Sequence, residues 1–125
     1  MKNLIFALTV LLTLFSCGSE PKEPAKPAAP AKPDLSANPD YQQGLELIGK
    51  NDCLTCHKIE EKLIGPSYRE VAKKYAGQAD AVPMLADKIL KGGTGVWGEV
   101  PMAAHPNLSQ EDAESLAKYV LLFKD

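Results

Sequence analysis

No block of like charges interrupts this 125-residue sequence, and its formal net charge at pH 7 is only -2. That excludes a basic nucleic-acid tail and a polybasic membrane patch, so nucleic acid is not an expected partner. No apolar run is long enough for a bilayer span: the longest, LIFALTVLLTLF, falls short of the roughly 20 residues a transmembrane helix needs. Strand-type alternation is missing too, which removes sheet-based folds. Tryptophan occurs once, as Trp97, histidine twice and cysteine three times. With no second cysteine pair, a closed four-ligand zinc centre lacks its ligands.

What is present divides the chain into three. Lys2 followed by the apolar run has the n-region and h-region of an export signal, expected over residues 1–16. The run ends in LFSCGS, with a leucine three before Cys17 and small Ser16 just before it. This resembles the lipobox of bacterial lipoproteins, although Phe15 is bulkier than that pattern usually carries. The resemblance implies acylation of Cys17, which also accounts for the odd thiol in an exported protein. Two or three acyl chains hold a bilayer far more firmly than one. The expected location is the periplasmic side of a bacterial membrane, lipid-anchored.

Residues 17–40 hold six of the ten prolines and almost no large apolar side chain. They cannot build a core. At about 3.1 Å per residue in polyproline conformation, such a tether reaches roughly 70 Å. Residues 41–125 are the expected folded domain, small for an apolar core on its own, so a buried cofactor would help.

Its pattern is helical, with glycine and proline loops. Asn38 caps a first helix with Pro39 at its first position. A short helix from about Pro66 to Tyr75 stops at Gly77. Asp80 opens a third, with Pro83 in its first turn and Gly92 and Gly93 closing it. Ser109 begins the last, with Asp112 in capping-box position and a stripe of Ala113, Leu116, Val120 and Leu121. Gly44 and Tyr119 or Val120 are expected at the crossing of the terminal helices.

The chemistry concentrates in CLTCH, residues 53–57. A thioredoxin-type dithiol needs a strand before the first cysteine, and none precedes Cys53. Zinc fails because Cys56 and His57 are adjacent and rarely reach one metal together. Covalent haem attachment uses every member: Cys53 and Cys56, one turn apart, form thioethers, and His57 places an imidazole under the iron. An export signal agrees with thiols ligated outside the cytoplasm.

A sixth iron ligand can come from Met84, Met102 or His105. Met84 follows Pro83 near a helix start, where methionine ordinarily fills core gaps. Met102 lies in the loop GEVPMAAHPNLS, between Pro101 and Pro106, which restrict the backbone. His105 is a nearby substitute.

With CLTCH, IGPSY, GVWGEVPM and a C-terminal amphipathic helix, residues 41–125 resemble a small bacterial class I cytochrome c. The resemblance implies an all-α fold, about four helices wrapped around one covalent haem c. It implies Met102 as axial ligand 45 residues after His57, the Pro66 carbonyl holding the axial histidine, and Trp97 hydrogen-bonded to a haem propionate. The function implied is membrane-tethered electron transfer, with a donor of the quinol-cytochrome c reductase type and a terminal oxidase or reductase as acceptor. It is not an enzyme. The competing readings are a ligand-binding or peroxidatic haem protein with a labile sixth ligand, and a haem-free dithiol protein. Exposed Lys58, Lys62, Lys73 and Lys74 can steer a partner or simply solvate the surface.

Overall fold

In the computed structural model the described residues are 33–124; the export signal, Cys17 and most of the tether lie outside them. Four helices follow one another: α1 (Pro39–Lys50), α2 (Tyr68–Tyr75), α3 (Ala81–Lys91) and α4 (Gln110–Leu121), with a 3-10 turn at Cys53–Thr55 between the first two. Among the described residues the extended pairing is a single bridge, Gly93 with Met102.

Local chemistry sets most of the boundaries. Asn38 Oδ1 accepts from the backbone N–H groups of Asp40 (2.9 Å) and Tyr41 (3.3 Å), and Pro39 follows it at the first helical position. Gly92, at φ 73°, closes α3 in a conformation that costs glycine little. Helix α2 starts two residues later than the proline in its sequence suggests. Ser67 is its cap: its Oγ accepts from Glu70 N at 3.1 Å, and Glu70 Oε2 accepts from Ser67 N at 2.8 Å. This reciprocal box holds Ser67 extended, so Pro66 stays outside the helix. At α4 only half a box forms: Ser109 Oγ accepts from Asp112 N at 3.0 Å, and aspartate is one methylene shorter than the glutamate that usually completes the pair.

Helix α4 packs against each of the other three. Its buried face carries Ala113, Leu116, Ala117 and Tyr119, while Val120 and Leu121 at the end of the expected stripe are half-buried. On α3 the small Ala81 and Ala86 are buried and the larger Leu85, Ile89 and Leu90 only half so. At the α1/α4 crossing, a Cβ on Gly44 would fall inside the Tyr119 side chain. Glycine is required there by close approach rather than by backbone conformation. The core is built from Ile48, Tyr68, Leu116 and Tyr119, with Tyr41, Phe123 and Cys53 packed against it.

Candidate haem-binding site

The turn carrying the two cysteines is wound by its own backbone. Thr55 N donates to Asp52 O (3.0 Å), and Cys56 N (3.3 Å) and His57 N (3.0 Å) both donate to Cys53 O. Cys53 and Cys56 are half-buried free thiols. Before haem is attached, burial holds the Cys53 thiol above its ordinary pKa.

After the turn the chain doubles back and bonds to itself. Gly65 N donates to Cys56 O (2.8 Å), Tyr68 N to Lys58 O (2.9 Å) and Arg69 N to Ile59 O (3.1 Å). Arg69 makes a bidentate pair with Glu60, Nε to Oε2 at 2.8 Å and Nη2 to Oε1 at 2.9 Å, and its Nη1 reaches Phe123 O at 3.4 Å. The bidentate geometry and the sheltered arginine, 19% exposed, distinguish this pair from the open surface pairs Lys50–Glu46 and Lys91–Asp87.

The doubling back serves His57. Its Nδ1 lies 2.7 Å from Pro66 O. A carbonyl can only accept, so Nδ1 carries the hydrogen and Nε2 keeps its lone pair for a metal. A Cβ on Gly65 would strike the imidazole, coming within 2.8 Å of Nδ1 and closer to Cε1. Tyr68 stacks on the same imidazole, centroids 5.7 Å apart and planes 22° from parallel. Gly65 and Tyr68 belong to the IGPSY stretch, in which the sequence reading gives a role to Pro66 alone. The Gly-Pro pair shows a turn and a helix start, not that Gly65 and Tyr68 both converge on His57.

Met102 and Trp97 belong to the loop between α3 and α4. Met102 is half-buried and exchanges two backbone hydrogen bonds with Gly93, Met102 N to Gly93 O at 2.8 Å and Gly93 N to Met102 O at 3.3 Å. Gly92 makes this approach possible, because a Cβ there would lie 2.5 Å from Met102 O. The two glycines thus do more than end α3; they seat the backbone of Met102. His105, also half-buried, anchors the loop to α3 through its N–H to Ile89 O at 3.0 Å. Thr94 Oγ1 donates to Glu99 O at 3.1 Å. Trp97 is half-buried, with the Lys74 ammonium 5.4 Å from its ring centroid. Met84 sits within the first turns of α3, its N–H bonded to Asp80 O at 3.1 Å.

Two thiols on one turn, followed by an imidazole whose Nε2 is free, are the donor set for a porphyrin held by two thioethers and one axial nitrogen. Among the described residues no three His, Cys, Asp or Glu side chains gather as a metal-ion site.

The chain is similar to known proteins in sequence and fold. Residues 41–123 match the family model described as Cytochrome c. The chain is 43% identical over 83 residues to cytochrome c-552 of Nitrosomonas europaea, covering 66% of this chain and 81% of that protein. It is 48% identical over 79 residues to cytochrome c-552 of Hydrogenobacter thermophilus, covering 63% and 80%. The crystal structure of the wild-type Nitrosomonas europaea protein superimposes with a TM-score of 0.61 at 44% identity, covering 64% of this chain and 99% of that one.

Proposed function

Because the chain belongs to the cytochrome c family, as an electron-transfer haem protein with one covalent haem c rather than an enzyme, we propose that it is a carrier with His57 and Met102 as axial iron ligands, tethered to a membrane. Haem bound here supplies one-electron iron redox chemistry. Cys53 and Cys56 hold it covalently.

The observation that carries the ligand reading is the 2.7 Å bond from His57 Nδ1 to Pro66 O, which fixes the tautomer and leaves Nε2 to coordinate. Pro66 is buried and His57 half-buried. The case for Met102 is that its backbone is pinned on both sides by Gly93, in a loop whose prolines limit its alternatives. A neutral thioether favours ferrous over ferric iron, so the expected reduction potential is high relative to bis-histidine coordination. Trp97 hydrogen-bonds a propionate in this reading.

Around this centre the sequence supports export to the periplasm and anchoring through acylated Cys17, with residues 18–40 as the leash. The partners are membrane-bound redox complexes: a donor of the quinol-cytochrome c reductase type and a terminal oxidase or reductase.

A visible spectrum of the protein matured with haem-ligation machinery tests the centre. Sharp reduced α and β bands, the weak far-red charge-transfer band of methionine-ligated ferric haem and no response to carbon monoxide are expected. A strong carbon monoxide shift in the wild-type protein would overturn the closed His57/Met102 centre and favour ligand binding or peroxidatic chemistry. For the anchor, Cys17→Ser is expected to release the protein from membranes into the soluble fraction, and a variant that stays membrane-bound refutes acylation as the anchor.

A further inference from the structure

Tyr68 is joined to the His57 segment twice. Its ring stacks on the imidazole at 5.7 Å and 22°, and its backbone N–H donates to Lys58 O, one residue past His57, at 2.9 Å. The ring is itself held. Tyr119 meets it edge-on at 6.1 Å and 87°, and Phe123 stacks on it at 6.3 Å and 23°. Tyr68 is only 4% exposed, and Cys53 packs against the cluster to which it belongs. The capping box at Ser67 fixes the backbone immediately before it.

The Pro66 carbonyl holds one atom of the imidazole, whereas the face of Tyr68 limits the tilt of the whole ring. We propose that Tyr68 is a positioning residue for the axial ligand, setting the plane of the His57 imidazole and relaying to it the packing of α4. This rests on the reading of His57 as the axial ligand. The consequence is a link between the last turn of α4 and the electronic structure of the iron, passing through Tyr119 and Tyr68. Because the contact is made by the ring face, phenylalanine preserves it and an aliphatic side chain does not.

The test uses the full-length holoprotein and two readouts that general destabilisation does not move in a defined direction: the haem-methyl hyperfine shift pattern of the ferric protein by proton NMR, which reports axial-ligand orientation, and the reduction potential. Tyr68→Phe is expected to keep the wild-type pattern and potential. Tyr68→Leu is expected to change the order or spread of the methyl shifts and lower the potential as His57 turns and water gains access. Tyr68→Met carries the same expectation if the leucine variant fails to mature. Phe123→Leu, in the same cluster, is expected to lower Tm with a much smaller change in the shift pattern. A wild-type pattern and potential in Tyr68→Leu and Tyr68→Met would overturn the inference, as would equal changes in Phe123→Leu. His57→Ala separates the two levels: if it retains the wild-type spectrum, the axial-ligand reading itself falls.

Discussion

The segment from Cys53 to Arg69 and the loop from Gly92 to Ser109 supply the two proposed faces of one haem site, yet they are built differently. The first is bonded to itself at several points. Its cysteine turn, the Gly65–Cys56 and Tyr68–Lys58 bonds, the His57–Pro66 bond and the Arg69–Glu60 pair all fall within 17 residues. The second has the Gly93–Met102 bridge, a turn closed by Gly95 N to Gly98 O and Thr94 Oγ1 to Glu99 O, the Leu108 N to His105 O bond, one anchor to α3 through His105, and a cation over Trp97. The comparison teaches a division of labour: the histidine side is preorganised by the fold, and the methionine side is a strap pinned at a few places. Local opening follows the region with fewer buried bonds, so exchange is expected to begin at the proposed sixth-ligand position.

The harshest way to probe that contrast is to remove each ligand in turn. His57→Ala strips the site of the group its surrounding segment serves, and loss of haem incorporation and of the cooperative far-UV CD transition is expected. Met102→Ala is expected to leave haem attached and the helices intact. It should abolish the far-red charge-transfer band, lower the potential substantially and admit carbon monoxide. Retention of the charge-transfer band in that variant removes Met102 from the site, and Met84→Ala and His105→Ala identify its replacement.

Glycine substitutions sharpen the comparison at smaller amplitude. Gly65→Ala pushes a methyl into the imidazole ring, and overpacking of this kind costs about 1–3 kcal/mol. It should appear as a lower denaturation midpoint together with a changed haem-methyl pattern. Gly92→Ala combines a positive φ with a close approach to Met102 O, at a backbone cost of about 1–3 kcal/mol. Its signature is faster displacement of the methionine by exogenous imidazole, read by stopped-flow absorbance. Equal exchange rates in the two glycine variants would erase the distinction between a rigid face and a pinned strap.

The smallest expected effect concerns the cap that steadies the rigid side. Hydrogen bonds from Ser67 backbone and side chain hold the Glu70 carboxyl below its usual 4.5. A carboxylate depressed in the folded state contributes stability that is present above the unfolded value and lost as pH falls through the folded one. The stability difference between wild type and Glu70→Gln is therefore expected to be constant at neutral pH and to shrink on acidification below about pH 4.5, measured by urea denaturation across that range. Ser67→Ala, which removes the cap oxygen at all pH values, is expected to cost about 1 kcal/mol.

Much of this architecture was legible because its signals are short-range. Asn38 before Pro39, Ser109 before an acidic turn, and a glycine pair after Leu90 mark helix ends through hydrogen bonds spanning three or four residues. CLTCH was legible for a similar reason, since its chemistry lies in five consecutive side chains. Ser67 is not distinguishable as a cap by sequence because the neighbouring Pro66 also suits a helix start, and only the reciprocal bonds with Glu70 separate the two. Gly65, Gly92 and Tyr68 were beyond reach in another sense: what they do is decided by distant backbone or rings brought near in folding. The crossing at Gly44 lay between these cases, with a small residue visible in α1 and Tyr119 or Val120 on α4 as alternatives. The aromatic overlap with Tyr119 resolves it.

That crossing also governs timing. Residues 44 and 119 lie at opposite ends of the folded domain, so the α1/α4 seam closes only when nearly the whole chain is available. Closing so long a loop is entropically costly before its contacts form. On the proposed export route, a chain emerging N-terminus first would present Cys53 and Cys56 before α4 can cover the core beside them. The seam that Gly44 permits is thus expected to close late, which would leave the ligation machinery an interval in which both sulfurs are within its reach.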